Sequence, residues 1–361
     1  MKAFFFWENV GGLTLEHWCN PYAGLLARAL ERQCIHLELG DYTFDRHWLE
    51  SNRNDHQVLH LNWLHFFYRT DTLETTRARY AGFAENLTFA RRLGYRIVWT
   101  MHNRYPHERP FPEVDHLARL LVSRLAHTVI AHCNYSAGLA RTLFLRTGDV
   151  RIIPHGHFIE VFQNKMPREE ARRDLGIPQS TFVYLFFGNA RTYRGIEGLI
   201  EAFCRAGDAD ARLLMMMRRW PRDPKYADKV IALAGRDGRI LVFSSPYFPN
   251  EAFQVYLNAS DVVVLPFSDV LTSGTAITAL SFGKPVILPR VGCLPELIDD
   301  TMGILYDPGD KRGLEEALAQ IRGRDLEAAG RSALSRARAL DWDGIAAQVR
   351  ISLKMATCFG P

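Results

Sequence analysis

The sequence predicts an α/β protein built as two doubly wound parallel halves, and three observations carry that expectation. Short apolar runs alternate with helical patterns over almost the whole length, as parallel strands joined by crossover helices require. A chain of 361 residues is long enough for about two domains. All 13 histidines fall at or before His157. The polar stretch that follows, "QNKMPREEARRDLGIPQS", carries Pro167, Gly176 and Pro178, as an interdomain connection does. The predicted domains are residues 1–165 and 166–340, with 341–361 a last amphipathic helix placed to pack back on the first domain.

The strands expected in the first half are "KAFFFW", "IHLEL", "VLHLNW", "RIVWTMH", "TVIAH" and "VRIIPHG". Those of the second half are "TFVYLFFG", "ARLLMMM", "RILVFS", "DVVVLPF" and "KPVILP". Between them lie helical segments such as "TRARYAGFAENLTFARRLG", closed by Gly94, and "GIEGLIEAFCRAG". The opening "MKAFFFWENVGG" breaks into polar residues and glycines too early for a signal core or a membrane span, so it reads as a buried first strand. Six scattered cysteines without paired spacing fit a reducing cytoplasm. A net charge of only +4, with no dense basic run, argues against nucleic acid as a partner.

In an open α/β sheet, ligands bind beyond the carboxyl ends of the strands. Four such loops carry candidate chemistry. After the first strand comes "ENVGG", where Glu8 precedes Gly11 and Gly12; the glycines allow close backbone approach to a ligand and equally suit a plain turn. "TMHNRYPHE" places His102 and Asn103 at a strand end with Glu108 just beyond. A histidine there can act as a general base, hold a hydroxyl or be structural. "IIPHGHF" sets His155 and His157 around Gly156; two imidazoles without a third ligand make a poor metal site, and the glycine suits a backbone amide approaching a ligand. In "FFGNARTYRG", Gly188 is followed by Arg191 and Arg194, two guanidinium groups suited to a diphosphate. Further on, in "DVLTSGTAITALSFGKPVILPR", Ser273 is the natural N-cap of a helix stopped by Gly283. Gly274 costs that helix stability while exposing amides where the macrodipole favours an anion, with Thr275 beside it.

With "NPY" at 20–22 and "VLHLNW" at 58–63, these motifs resemble, in order, glycosyltransferases of the GT-B architecture. Within that superfamily they are most similar to the xanthan-type β-1,4-mannosyltransferases that use GDP-mannose and a polyprenyl-diphosphate-linked acceptor. The resemblance implies two Rossmann-like domains facing a central cleft, with the acceptor on the N-terminal domain and the nucleotide sugar on the C-terminal one. It implies donor binding by Gly188, Arg191, Arg194, Ser273, Gly274, Thr275, His155 and Gly156. It further implies a reaction-centre glycine loop of Gly11 and Gly12, with His102 touching the transferred sugar; Asn103 is placed with that loop, and the candidate bases are His102, Glu108 and Glu8, in that order. The large retaining branch carries two glutamates where this chain has Val270 and Thr278, which implies inversion. No cofactor or metal is expected, the nucleotide sugar being a co-substrate. The aromatics of "NWLHFFYRTDT" suit either a membrane surface holding a lipid-linked acceptor or an ordinary core. A UDP-sugar donor, a sugar-nucleotide epimerase of the same shape and a catalytically silent sugar-nucleotide binder are the alternatives.

Overall fold

The structure is a computed structural model that describes residues 1–8, 13, 15 and 20–358, the last four as backbone only. Two compact units divide the chain: residues 1–155 with 342–361, and residues 156–341.

The first unit is a six-stranded sheet of β1 (Lys2–Phe6), β2 (His36–Leu39), β3 (Val58–Leu61), β4 (Arg96–Met101), β5 (Thr128–Ala131) and β6 (Asp149–Ile152). All pairs are parallel, in the order β2-β1-β3-β4-β5-β6. The order reverses between β1 and β3. The aromatic run of β1 splits by the two-residue period of a strand. Phe4 and Phe6 meet Trp48, with Phe6 also against Phe44 and Phe67, while Phe5 stands over Trp7 and His60. The aromatics after β3 divide: Phe67 and Tyr68 are buried, Trp63 is half-buried and Phe66 is exposed. The helix Tyr22–Glu31 follows Pro21, and its first amide is taken by Asn20 Oδ1 at 3.1 Å. The C-terminal helix Trp342–Cys358 packs on that helix and on β4, where Arg32 pairs with Asp343 at 2.6 Å.

The second unit holds β7 (Phe182–Asn189), β8 (Ala211–Arg218), β9 (Ile240–Ser245), β10 (Val262–Val264), β11 (Val286–Pro289) and β12 (Gly303–Tyr306). Its order is β12-β11-β10-β7-β8-β9, again all parallel, with the reversal between β7 and β10. That is the strand order of a dinucleotide-binding fold, whose ligand crevice lies at the reversal. The eleven expected strands are all present. The twelfth, Gly303–Tyr306, is only four residues and follows a turn, so it offers no periodic signal.

The second unit begins at Gly156 rather than at 166. Its first residues are tied to it by backbone donors: His157 N–H to the Leu340 carbonyl at 3.1 Å, Phe158 N–H to Ser281 Oγ at 3.0 Å, and Lys165 N–H to Gln254 Oε1 at 3.0 Å. The polar composition that suggested a linker is partly explained by Arg172, wholly buried and bonded to the carbonyls of Ala259, Gln179 and Thr181 and to Asp261. A buried charge needs such partners, so the basic stretch belongs to the domain it anchors.

Candidate functional site

At the reversal of the second sheet, the segments after β7 and β10 bring Gly188, Arg194, Ser273 and Thr275 together. β7 ends on Asn189, and a short 3₁₀ turn, Thr192–Arg194, carries the second arginine back over the strand end. Gly188 has φ +133°, and a Cβ there would lie 2.5 Å from Arg194 Nη1. The glycine therefore clears the volume that the guanidinium occupies. Arg194 is 8% exposed. Its Nη1 donates to Thr275 Oγ1 at 3.0 Å, and among the described residues its Nε has no hydrogen-bond partner and no carboxylate pairs with it. Phe267 lies beneath it at 5.3 Å.

The helix Gly274–Ser281 starts beside this cation. Ser273 caps it by accepting the Ala276 amide at 3.1 Å, as the sequence predicts. Its first-turn amides at Gly274 and Thr275 have no partner within a helix, so a buried cation and open amides lie at one strand end. A Cβ on Gly274 would meet the Phe158 ring at 3.4 Å, so the glycine also fits that ring. Arg191 is stacked on Trp220, its guanidinium carbon 3.3 Å from the ring centroid. Trp220 was not singled out in the sequence. The available signal is topological: β8 pairs with β7 throughout, so "RRW" after β8 has to end beside "NAR" after β7.

At the two positions where the retaining branch carries glutamates, Val270 is a core residue and the Thr278 hydroxyl bonds back to the Gly274 carbonyl at 2.9 Å.

In the first unit, the carboxyl ends of β3, β4 and β5 gather Asn62, His102 and His132. His102 is buried at 6% exposure, with Nε2 2.9 Å from Asn62 Oδ1 and Nδ1 3.1 Å from His132 Nε2. Trp7, Tyr22 and Trp63 wall its ring. Burial, then the charges of His132, His155 and His60, hold its pKa far below the ordinary histidine value. A neutral imidazole is the form a base requires. Sequence reasoning missed His132, although "TVIAH" ends on histidine as "TMH" does. The loop after His102 is pinned by Arg119, whose Nε donates to the Arg104 carbonyl at 2.7 Å. Arg119 in turn sits on the helix Pro112–Leu125, beside Asp115, which accepts from Tyr68 at 2.7 Å and Arg69 at 2.9 Å. Asn103 and Glu108 are half-buried in that loop, and Glu8 is half-buried after β1, near enough to help raise the Tyr42 pKa. His155 packs against Tyr22, His132 and Trp342, and Gly156 opens the second unit. Gly11 and Gly12 lie outside the described residues.

His60, wholly buried on β3, gives this cluster a pH signature. Its Nε2 shares a 2.7 Å bond with Thr100, its Nδ1 has no hydrogen-bond partner, and burial lowers its pKa to about 3. An unfolded histidine protonates near pH 6.5, so the stability due to His60 is intact above that value and is lost as the pH falls below it. Between pH 7 and pH 5 the loss is about 2 kcal/mol. Urea unfolding of His60→Gln at the two pH values should show a pH dependence smaller by that amount.

The two parallel sheets define an α/β protein of the GT-B fold. Residues 181–323 match the family described as "Glycosyl transferases group 1". Among curated relatives, D-inositol 3-phosphate glycosyltransferase of Corynebacterium glutamicum (strain R) is 30% identical over 210 residues, 55% of this chain and 50% of that protein. GDP-mannose:glycolipid 4-beta-D-mannosyltransferase of Xanthomonas campestris pv. campestris is 28% identical over 244 residues, 65% of this chain and 61% of that protein. The chain thus spans between half and about three fifths of these relatives. Of solved structures, sucrose-phosphate synthase of Thermosynechococcus elongatus aligns with TM-score 0.71 and 18% identity over 93% of both chains. HepE of Anabaena, in complex with UDP and glucose, aligns with TM-score 0.71 and 17% identity over 98% of this chain and 100% of that one. No helix among the described residues is long and apolar enough to cross a membrane.

Proposed function

We propose that the protein is a hexosyltransferase that moves mannose from GDP-mannose to a lipid-linked oligosaccharide or related glycan, with inversion at the transferred carbon and without a metal. The observation that carries this reading is Arg194, a guanidinium more than nine-tenths buried, without an acidic partner among the described residues, at the open start of a helix. Such a group is stable in a fold whose working state supplies an anion. In transfer, the acceptor hydroxyl attacks C1 of the sugar while the C1–O bond to the diphosphate breaks, its electron pair leaving with the phosphate. Arg194, Arg191 and the amides of Gly274 and Thr275 stabilise the charge that develops there. A base of the first unit, drawn from His102, Glu108 and Glu8, receives the hydroxyl proton. Val270 and Thr278, which offer no carboxylate, favour inversion over front-side substitution. The donor is named from the mannosyltransferase relative, and the exposed Phe66 suits peripheral contact with a membrane that holds the acceptor.

A UDP-sugar donor is the second reading, favoured by the UDP and glucose bound in the HepE neighbour. Thermal shifts separate the two, because a ligand at 100 times its Kd stabilises by about 2.7 kcal/mol. GDP-mannose and GDP should raise Tm while UDP-sugars do not. A response to UDP-sugars alone would reassign the donor, and none to any nucleotide would overturn the transferase reading. Product anomer analysis then decides inversion: an α-linked product from an α-linked donor would refute it.

A further inference from the structure

Four neighbouring strands of the first sheet each deliver one group to a single hydrogen-bonded chain along their carboxyl ends. Asn62 Oδ1 follows β3, His102 follows β4, His132 follows β5 and the Ile153 carbonyl follows β6. The links are Asn62 Oδ1 to His102 Nε2 at 2.9 Å, His102 Nδ1 to His132 Nε2 at 3.1 Å, and His132 Nδ1 to the Ile153 oxygen at 2.9 Å. Both ends are acceptors. Ile153 offers a carbonyl, and Asn62 is held with its oxygen toward His102 because its Nδ2 donates to the carbonyls of Phe6 at 3.2 Å and His60 at 3.4 Å. Three links between two acceptors need three protons, whereas two neutral imidazoles carry two. In the neutral chain one link always sets lone pair against lone pair.

We infer that Asn62, His102, His132 and the Ile153 carbonyl form a proton-holding chain that takes up one further proton, shared by the two imidazoles, with His132 the positioning residue that sets the affinity of His102 for it. Uptake converts the mismatched link into a hydrogen bond without moving either ring. Burial opposes it: His102 and His132 are each 6% exposed. Burial, partly offset by the hydrogen bond to the Ile153 carbonyl, lowers the His132 pKa to about 4. The two effects together make a site that accepts a proton and gives it up readily. The titratable groups facing His102 are His60 from β3, His132 and His155 from the ends of β5 and β6, and Tyr22 from the helix Tyr22–Glu31. The C-terminal helix adds Trp342, which is uncharged, against Tyr22 and His155. Use of the chain as the sink for the acceptor's hydroxyl proton rests on the transferase reading. The chain itself does not.

The test is a titration of the full-length protein carrying ¹⁵N-histidine rings, followed by long-range ¹H–¹⁵N spectra from pH 8 to pH 4 with no substrate present. His102 and His132 should shift together through one shared midpoint, with uptake of a single proton. His132→Phe should lower the His102 midpoint, and Asn62→Asp should raise it, each by a pH unit or more. Two independent midpoints in the unsubstituted protein, or a His102 midpoint indifferent to His132→Phe, would overturn the proposal. The unsubstituted protein decides the matter if either variant does not fold. A nucleotide response in the thermal-shift assay, measured separately, keeps the transferase reading distinct from this outcome.

Discussion

Arg194→Ala is expected to lower turnover at saturating acceptor by about 10²-fold, the usual cost of deleting one donor aimed at developing charge. The more diagnostic result comes from Arg194→Met. A buried guanidinium that among the described residues has one hydrogen bond, to Thr275, and an unsatisfied Nε is a liability in the ligand-free protein. Filling its volume with an apolar side chain should leave ligand-free Tm unchanged or raise it, while abolishing the nucleotide-induced shift. Arg194→Lys should recover most of the response, since a lysine amine is a competent phosphate donor that lacks only the planar fork. The structural alternative, in which Arg194 merely braces the start of the helix Gly274–Ser281, makes the opposite forecast. There, Met would destabilise the free protein and leave the nucleotide response intact, and that pattern would sink the donor-site assignment.

Most of the fold was legible because both halves alternate apolar strands with amphipathic helices, and buried parallel strands such as "VYLFF" and "DVVVLP" announce themselves by continuous hydrophobicity. What the sequence concealed is non-local. The boundary moved to Gly156 because Phe158 and Lys165 spend backbone donors on Ser281 and Gln254, residues roughly a hundred positions away. The same limit applies at the sites. Arg194 and Ser273 were readable as a strand-end cation and an N-cap, whereas the 3.0 Å bond from Arg194 to Thr275 depends on β7 and β10 being neighbours. His102 was visible as a strand-end histidine. Its coupling to His132 and Asn62 required the strand order, since the three are separated by 40 and 30 residues.

Gly195 and Gly198 stand three residues apart and should respond to alanine with opposite signs. Gly198 lies inside the helix Ile196–Ala206, and nothing lies within 4 Å of a Cβ placed on it. Gly198→Ala should therefore stabilise by about 0.4–1 kcal/mol, because alanine gives up less backbone entropy on folding. Gly195 caps that helix with φ +66°, and its Cβ would fall 2.0 Å from the Pro266 carbonyl oxygen. The left-handed conformation alone costs alanine about 1–2 kcal/mol. The clash adds to it, since a backbone oxygen cannot rotate aside as a side chain would. Pro266 stands on the segment between β10 and the Ser273 cap, and Gly195 follows Arg194 directly, so relief of the clash shifts the turn that carries Arg194. A misplacement of about 1 Å in a catalytic arrangement can cost 10²-fold in rate. Gly195→Ala should thus lose both stability and turnover, whereas Gly198→Ala gains stability with turnover unchanged. Urea unfolding and steady-state kinetics on the pair provide the check, and a Gly195→Ala protein of normal stability and rate would show that this turn does not position the arginine.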